Sequence, residues 1–145
     1  MEQLGLAKHD LSASGHVLKV YLSNAAPVAT NTIKSDVAEI TAANGYPSGG
    51  TDIQNTWTET TGTATLAATD VVWTASGGSF GPFRYVVLYN DTQTTPADPL
   101  IAWGDYGSSS WIGDGEWLPV DFQTSRLTLA CSGRLLSDGW ADCGM

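Results

Sequence analysis

The sequence predicts an all-β protein, built as a single antiparallel β-sandwich or jelly-roll-like barrel of about eight short strands. Turn signals recur at short intervals, among them Asn44-Gly45, the Ser-Gly-Gly triplets at 48–50 and 76–78, and Gly-Asp-Gly at 113–115. The runs between these turns are short and rich in Val, Thr, Trp, Tyr and Ile, which strands favour. The 145 residues are enough for one domain with its own core.

Eight strands are predicted, and the fifth is the most informative. In this run, "FRYVVLYN", Phe83, Tyr85, Val87 and Tyr89 share one face, and the residues between them share the other. Because both faces are apolar in the middle, we expect a central strand covered on both sides by another sheet, a loop or a partner subunit. The predicted strands are 16–22, 55–59, 62–68, 70–74, 83–90, 99–105, 116–122 and 126–131.

One stretch departs from the strand pattern. Ile33, Val37 and Ile40 keep a helical spacing, and Asn44-Gly45 is a plausible helix end, so we expect at most one short helix near 32–43. The alternative is an extended arm. The sequence divides into an N-terminal arm at 1–15, a β-sandwich domain at 16–131 and a C-terminal tail at 132–145.

Charge and hydropathy argue against two classes of partner. Six Lys and Arg stand against fifteen Asp and Glu, and the formal charge of −9 repels phosphate backbones, so no nucleic-acid binding is expected. No run approaches the roughly 18 apolar residues of a membrane-spanning helix, and the first fifteen residues lack the features of a secretory signal. We therefore expect a soluble chain made in the cytoplasm, without a membrane partner.

Residues able to carry chemistry are few. The two histidines, His9 and His16, have no nucleophile motif to serve, and no phosphate-binding, dinucleotide-binding or H-E-x-x-H motif occurs. Asp105, Asp114 and Glu116 lie among aromatic residues, as in sugar-binding or sugar-cleaving sites, and they offer oxygen ligands to calcium. Ordinary turn chemistry explains "GDGE" equally, and we favour it. The sequence thus predicts no enzyme, no catalytic residue, no cofactor and no metal.

Tryptophans and cysteines point to contacts of the chain. Six Trp are too many for one small core, so some are expected at an interface with another subunit. For Trp140, the alternative is that the C-terminal tail folds back on its own sheet. Cys131 and Cys143 could form a disulfide, although two free thiols fit better with the missing export signal. The candidate interface residues are Trp111, Trp117, Leu135, Leu136 and Trp140.

Three blocks of sequence carry a resemblance to a known group. The blocks are "YLSNAAPVATNTIKSDVAEITAANGYPSGG", "GGSFGPFRYVVLYNDT" and "PLIAWGDYGSS", and their order and spacing resemble those of small virion structural proteins of tailed bacteriophages. The similarity runs from about Val20 to Ala130. It consists of turn and core residues, and it contains no catalytic signature.

The resemblance implies a non-enzymatic capsid decoration, or cement, protein on the virion surface. Such a protein binds the major capsid protein, stabilises the head and often forms a homotrimer. The alternatives are a phage tail or fibre component with a carbohydrate-binding role, and a small glycan-cleaving enzyme.

Overall fold

The computed structural model describes residues 9–123 and 126–129. Within these ranges nine strands form antiparallel sheets, which confirms the predicted all-β class, and each predicted strand overlaps an observed one. The predicted C-terminal tail lies outside the described residues. The strands are β1 Leu18–Ser23, β2 Thr51–Asp52, β3 Thr56–Thr60, β4 Thr63–Ala67, β5 Val71–Thr74, β6 Phe80–Asn90, β7 Leu100–Ile112, β8 Trp117–Gln123 and β9 Arg126–Leu129.

Two sheets and one hairpin make up the described part of the chain. The first sheet has the order β2–β1–β6–β7 and the second the order β5–β8–β9, while β3 and β4, among the described strands, pair with each other alone. The longest-range pairing joins β1 to β6, from Leu18 opposite Asn90 to Ser23 opposite Tyr85. In the hairpin, Thr61 and Gly62 both have positive φ, as a two-residue turn between twisted strands requires.

The main core lies between the two sheets. Strand β5 shows how the sequence creates it, because Val71 and Trp73 are buried while Val72 and Thr74 are exposed. The Trp73 indole is accommodated by a hydrogen bond, its Nε1 donating to Thr51 Oγ1 at 2.9 Å. The buried side chains facing each other across the sandwich include Val20, Leu22, Phe83 and Val86 from the first sheet and Trp73, Leu118 and Val120 from the second.

Strand β6 is buried on both faces, and two different elements cover it. Val86 and Leu88 belong to the core between the sheets. Tyr85, Val87 and Tyr89 belong to a second cluster, which also contains Tyr21, Leu100 and Val37. A second sheet covers one face of the strand, and the loop segment that carries Val37 contributes to the cover of the other.

The segment between β1 and β2 contains only one turn of helix. This 3-10 turn spans Lys34–Asp36, and the residues after it are extended. The spacing of Val37 and Ile40 does not mark a helical face, because Val37 packs in the second cluster and Ile40 against the main core. The chain reaches both by passing the edge of β1, where the Ile40 N–H donates to the Leu22 carbonyl at 3.0 Å.

Glu39 fastens this segment to the sheet. The Tyr46 hydroxyl donates to Glu39 Oε1 at 2.8 Å and accepts the Leu22 N–H at 2.9 Å. The Gly49 N–H donates to the same carboxylate oxygen at 2.7 Å, and Lys34 Nζ lies 2.9 Å from Glu39 Oε2. Burial raises the pKa of the Tyr46 hydroxyl well above its usual value, so this group remains a donor.

The Gly-Ser composition of residues 107–110 is typical of a turn, but these residues form part of a strand. These residues continue β7, which runs without interruption to Ile112. On β6, Phe83 and Tyr85 are two positions apart, whereas their partners on β7, Ser110 and Asp105, are five apart. The surplus forms a bulge, in which Gly107 has a φ of 102° and donates its N–H to Asp105 Oδ1 at 2.8 Å. The small Gly and Ser side chains allow this bend.

Candidate interaction surface

Trp111 and Trp117 flank one tight turn at an end of the sandwich. Trp111 is 59% exposed near the end of β7, and Trp117 is 47% exposed at the start of β8. Two hydrogen bonds of 2.8 Å close the turn between them. The Gly113 N–H donates to Glu116 Oε2, and the Glu116 N–H donates to the Gly113 carbonyl. The Gly115 N–H also donates to the Ala75 carbonyl at 2.9 Å. Both indoles are thus carried by a well-anchored part of the backbone.

The backbone around Gly81 supports the Trp111 side chain. A Cβ atom at Gly81 would lie 3.3 Å from Trp111 Cδ2 and 3.2 Å from its Cα, and Gly81 has a φ of 134°. Only glycine accommodates both the conformation and the close approach. Gly81 and Pro82 also line a shallow cleft of about 250 Å³, together with Glu39 and Ile40.

Trp117 belongs to the outer face of the second sheet. It pairs with Thr74, and Pro119, two positions along β8, pairs with Val72. Directly opposed residues of an antiparallel pair point to the same face, so Val72, Trp117 and Pro119 share this surface. Val72 is exposed and Pro119 partly so. These three residues form an apolar patch on the outer face of a sheet whose inner face forms the core.

Two further exposed tryptophans were not among the predicted interface residues. Trp57 is 44% exposed on the β3–β4 hairpin, where every residue of β3 is exposed. Trp103 is exposed on β7, and its ring lies edge-on to the Tyr85 ring at 5.9 Å. The position of Trp57 between threonines in "TWTET" was a usable signal, because a core strand would supply apolar neighbours.

Arg84 and Asp105 form an ion pair beside Trp103. Arg84 donates from Nε to Oδ1 and from Nη2 to Oδ2 of Asp105, both at 2.9 Å. These hydrogen bonds hold the pKa of Asp105 below its usual value. A general acid in glycoside cleavage needs the opposite shift, so the surroundings of Asp105 favour a permanent carboxylate.

The other two predicted carboxylates, Asp114 and Glu116, accept hydrogen bonds from backbone N–H groups of turns. Asp114 Oδ1 accepts the Gly77 N–H at 2.9 Å, and Glu116 accepts the Gly113 N–H. Each of the three acids therefore has a separate local partner. In the part of the chain that the structure describes, no three His, Cys, Asp or Glu side chains are grouped closely enough to hold a metal ion.

The remaining predicted site residues lie outside the described residues. These are the candidate interface residues Leu135, Leu136 and Trp140 and the candidate disulfide cysteines Cys131 and Cys143. None of the helices within 9–123 and 126–129 has the length and apolar character needed to cross a membrane. Comparison with protein-family models, with curated proteins and with solved structures gives no match.

Proposed function

We propose that the chain is a non-enzymatic structural protein of a bacteriophage virion, most specifically a capsid decoration protein that binds the major capsid protein. The sequence blocks that resemble such proteins support this proposal. They cover the end of β1 with the segment that follows it, all of β6, and most of β7. The observation that carries it is the pair of exposed indoles, Trp111 and Trp117, on an anchored turn of a well-packed domain. Exposed tryptophan side chains on a fixed backbone are typical of sites of protein contact.

The energy available from these rings is sufficient for specific binding. Covering the exposed part of one indole, of the order of 100–150 Å², stabilises a complex by about 2–3 kcal/mol. Because the turn is already fixed by hydrogen bonds, little ordering entropy opposes this gain. Trp111 and Trp117 are therefore proposed as the anchors of the interface, and Val72 extends the apolar surface beside Trp117.

Charge adds a preference for the partner surface. Lys19, Lys34 and Arg84, whose side chains the structure describes, each form an ion pair with a carboxylate, at 2.7, 2.9 and 2.9 Å. With a formal charge of −9, the chain presents many carboxylates that lack a cationic partner of this kind. Long-range attraction then favours a capsid surface that carries Lys and Arg, and repulsion keeps decorated particles apart.

The proposal includes a homo-oligomer, with a trimer favoured, because several copies together can bind the capsid through contacts that are weak individually. Each engaged subunit raises the local concentration of the next, so several modest interfaces hold a capsid seam together. The proposed action is mechanical, since a bridge between capsomers resists their separation under the pressure of packaged DNA. The proposed location is the outer surface of the capsid.

The test is cosedimentation of the purified protein with capsids that lack it, with bound copies counted by quantitative gel. We expect saturation at a number matching threefold or sixfold positions. The double variant Trp111→Ala/Trp117→Ala should bind at least tenfold more weakly, a loss of about 1.4 kcal/mol or more. Trp57→Ala is the matched control and should bind normally. Absence of wild-type binding to capsids contradicts the capsid role, and normal binding by the double variant contradicts the proposed anchors.

A tail or fibre component that binds carbohydrate is the second candidate. Its supporting observation is the exposed Trp103 ring beside the Arg84–Asp105 pair, which combines an apolar platform with fixed polar groups. This role predicts binding of the isolated protein to a bacterial surface glycan, with loss of binding in Trp103→Ala. Capsid binding without glycan binding would exclude it.

A further inference from the structure

The turn that carries the proposed capsid anchors is negatively charged. Asp114 and Glu116 lie in this turn, between Trp111 and Trp117, and their carboxylates accept backbone N–H groups. Neither carboxylate forms an ion pair with a cationic side chain that the structure describes. This end of the sandwich therefore attracts a basic partner and repels a second copy of the same chain.

The exposed tryptophan on β7 has different surroundings. The Trp103 ring lies edge-on to the Tyr85 ring, with the centroids 5.9 Å apart, and the guanidinium carbon of Arg84 lies 5.5 Å from the Tyr85 centroid. Arg84 in turn donates to both carboxylate oxygens of Asp105 at 2.9 Å. We call these four contiguous residues the Trp103 group. Its one carboxylate is neutralised by its one guanidinium.

The composition of the Trp103 group is typical of the centre of a protein interface. Trp, Tyr and Arg are the residue types that contribute most to binding energy at such centres. Trp103 is 39% exposed and the Arg84 side chain 40%, so both have surface left to cover. The two hydrogen bonds to Asp105 hold the guanidinium in place, and the nearly buried Tyr85 supports the indole. Little ordering entropy therefore opposes a contact here.

We propose that the Trp103 group is the contact between copies of this chain. Charge identifies the occupant, because a chain with a formal charge of −9 repels its own copies wherever carboxylates are left unpaired. That repulsion is weakest at the Trp103 group, where Arg84 neutralises Asp105 at short range. The inference rests on the homo-oligomer of the proposed function, and it names the surface that forms this oligomer.

The shape of β7 beside the group suits a close approach. Among the described strands β7 is the outermost of the first sheet, and Gly107, Ser108 and Ser109 are exposed along it. Their small side chains leave room for the indole of a neighbouring copy. Arg84 and Asp105 present a donor and an acceptor side by side, so the same pair on a second copy is electrostatically complementary to it.

The first test is sedimentation equilibrium of the full chain without capsids. We expect the wild type to form a homo-oligomer, and Trp103→Ala should raise its dissociation constant at least about tenfold. Trp57→Ala is the matched control, since Trp57 is 44% exposed and lies beside Glu59, a carboxylate without an ion pair in the described residues. This control should associate like the wild type. A monomeric wild type, or normal association of Trp103→Ala, overturns the proposal.

The second test isolates the effect of charge. Arg84→Gln leaves the Asp105 carboxylate unpaired, whereas Arg84→Gln/Asp105→Asn removes both charges. In about 0.01 M salt, where charges act over about 30 Å, the single variant should associate about tenfold more weakly than the double variant. In about 1 M salt the two variants should associate equally, because screening reduces this range to about 3 Å. Equal association at low salt overturns the proposal.

Cosedimentation with capsids separates this inference from the capsid role. A wild-type oligomer that depends on Trp103 but does not bind capsids supports the contact between copies and contradicts the capsid role. A monomeric wild type that saturates capsids overturns the contact and leaves the capsid role in place. A monomeric wild type that binds a bacterial surface glycan through Trp103 assigns this surface to a sugar and also overturns the contact.

Discussion

Removal of the Tyr46 hydroxyl tests the network that fastens the segment between β1 and β2. Tyr46→Phe keeps the ring and its packing against two neighbouring rings. The ring centroid lies 5.4 Å from that of Trp73 and 5.8 Å from that of Phe80. Two hydrogen bonds are lost, the one donated to Glu39 and the one accepted from the Leu22 N–H. The substitution therefore changes polar contacts while leaving apolar packing in place.

The expected loss follows from these two bonds. A buried N–H without a partner destabilises a protein by about 1–3 kcal/mol, and here the Leu22 N–H is left in that state. The hydrogen bond to the Glu39 carboxylate contributes roughly 1 kcal/mol more, because Lys34 and Gly49 still bind this group. We expect the free energy of unfolding of Tyr46→Phe to fall by about 2–4 kcal/mol.

Tyr85→Phe is the matched control. Tyr85 is also nearly buried, yet within the described residues its hydroxyl makes no hydrogen bond. Its removal should change the free energy of unfolding by less than about 0.5 kcal/mol. Guanidinium unfolding followed by tryptophan fluorescence measures both variants. A Tyr46→Phe variant as stable as the wild type, or equal losses in the two variants, would refute the reasoning.

Three further predictions concern stability. Burial raises the pKa of the Tyr21, Tyr46 and Tyr89 hydroxyls in the folded protein. Their contribution to the free energy of unfolding is therefore complete below the unfolded-state pKa of about 10 and is lost as the pH rises above it. Urea unfolding should show stability falling by roughly 1.4 kcal/mol per pH unit for each of these tyrosines. Gly50→Ala should destabilise the protein by about 3 kcal/mol or more, because the added Cβ would overlap the Val20 carbonyl. Gly62→Ala is the control: it has a φ of 81° and open space around it, and it should lose only about 1 kcal/mol. Equal midpoints of the two variants in thermal unfolding would contradict this prediction. Asp105→Asn removes the half-exposed pair with Arg84 and should lower stability by less than about 1 kcal/mol, and a larger loss in denaturant unfolding would show that the pair is structural.

Local sequence pattern was sufficient to predict every strand except the two-residue β2, and it failed where the chain bends around the strands. Alternation in "VVWT" and the double apolar face of "RYVVLY" follow directly from the pleat, so β5 and most of β6 were predictable. Phe83 was not, because the register shift between Phe83 and Tyr85 places it in the main core with Val86 rather than beside Tyr85. The segment with Val37 and Ile40 was not, because each residue is buried against a different face of the sheet, and their separation only imitates a helical repeat. The bulge at "GSSS" was not predictable either, because bulges and turns favour the same small residues.

The presence of exposed tryptophans was predictable, but their positions only in part. The number of tryptophans exceeded what a small core holds, and four of those in the described residues are exposed. Which ring is buried depends on strand register, since Trp73 faces inward and Trp117, opposite the neighbouring Thr74, faces outward. Register is set by pairing with distant strands, which sequence pattern alone does not provide.

The pairing of β1 with β6 governs how this chain can fold during synthesis. Leu18 pairs with Asn90, 72 positions further along (90 − 18), and β1 joins the first sheet chiefly through β6. The apolar side chains of β1 must therefore wait until Asn90 has left the ribosome before their sheet can close. Contacts of such sequence separation place folding in the slow range of milliseconds to seconds, and they leave the apolar side chains of β1 exposed in the nascent chain.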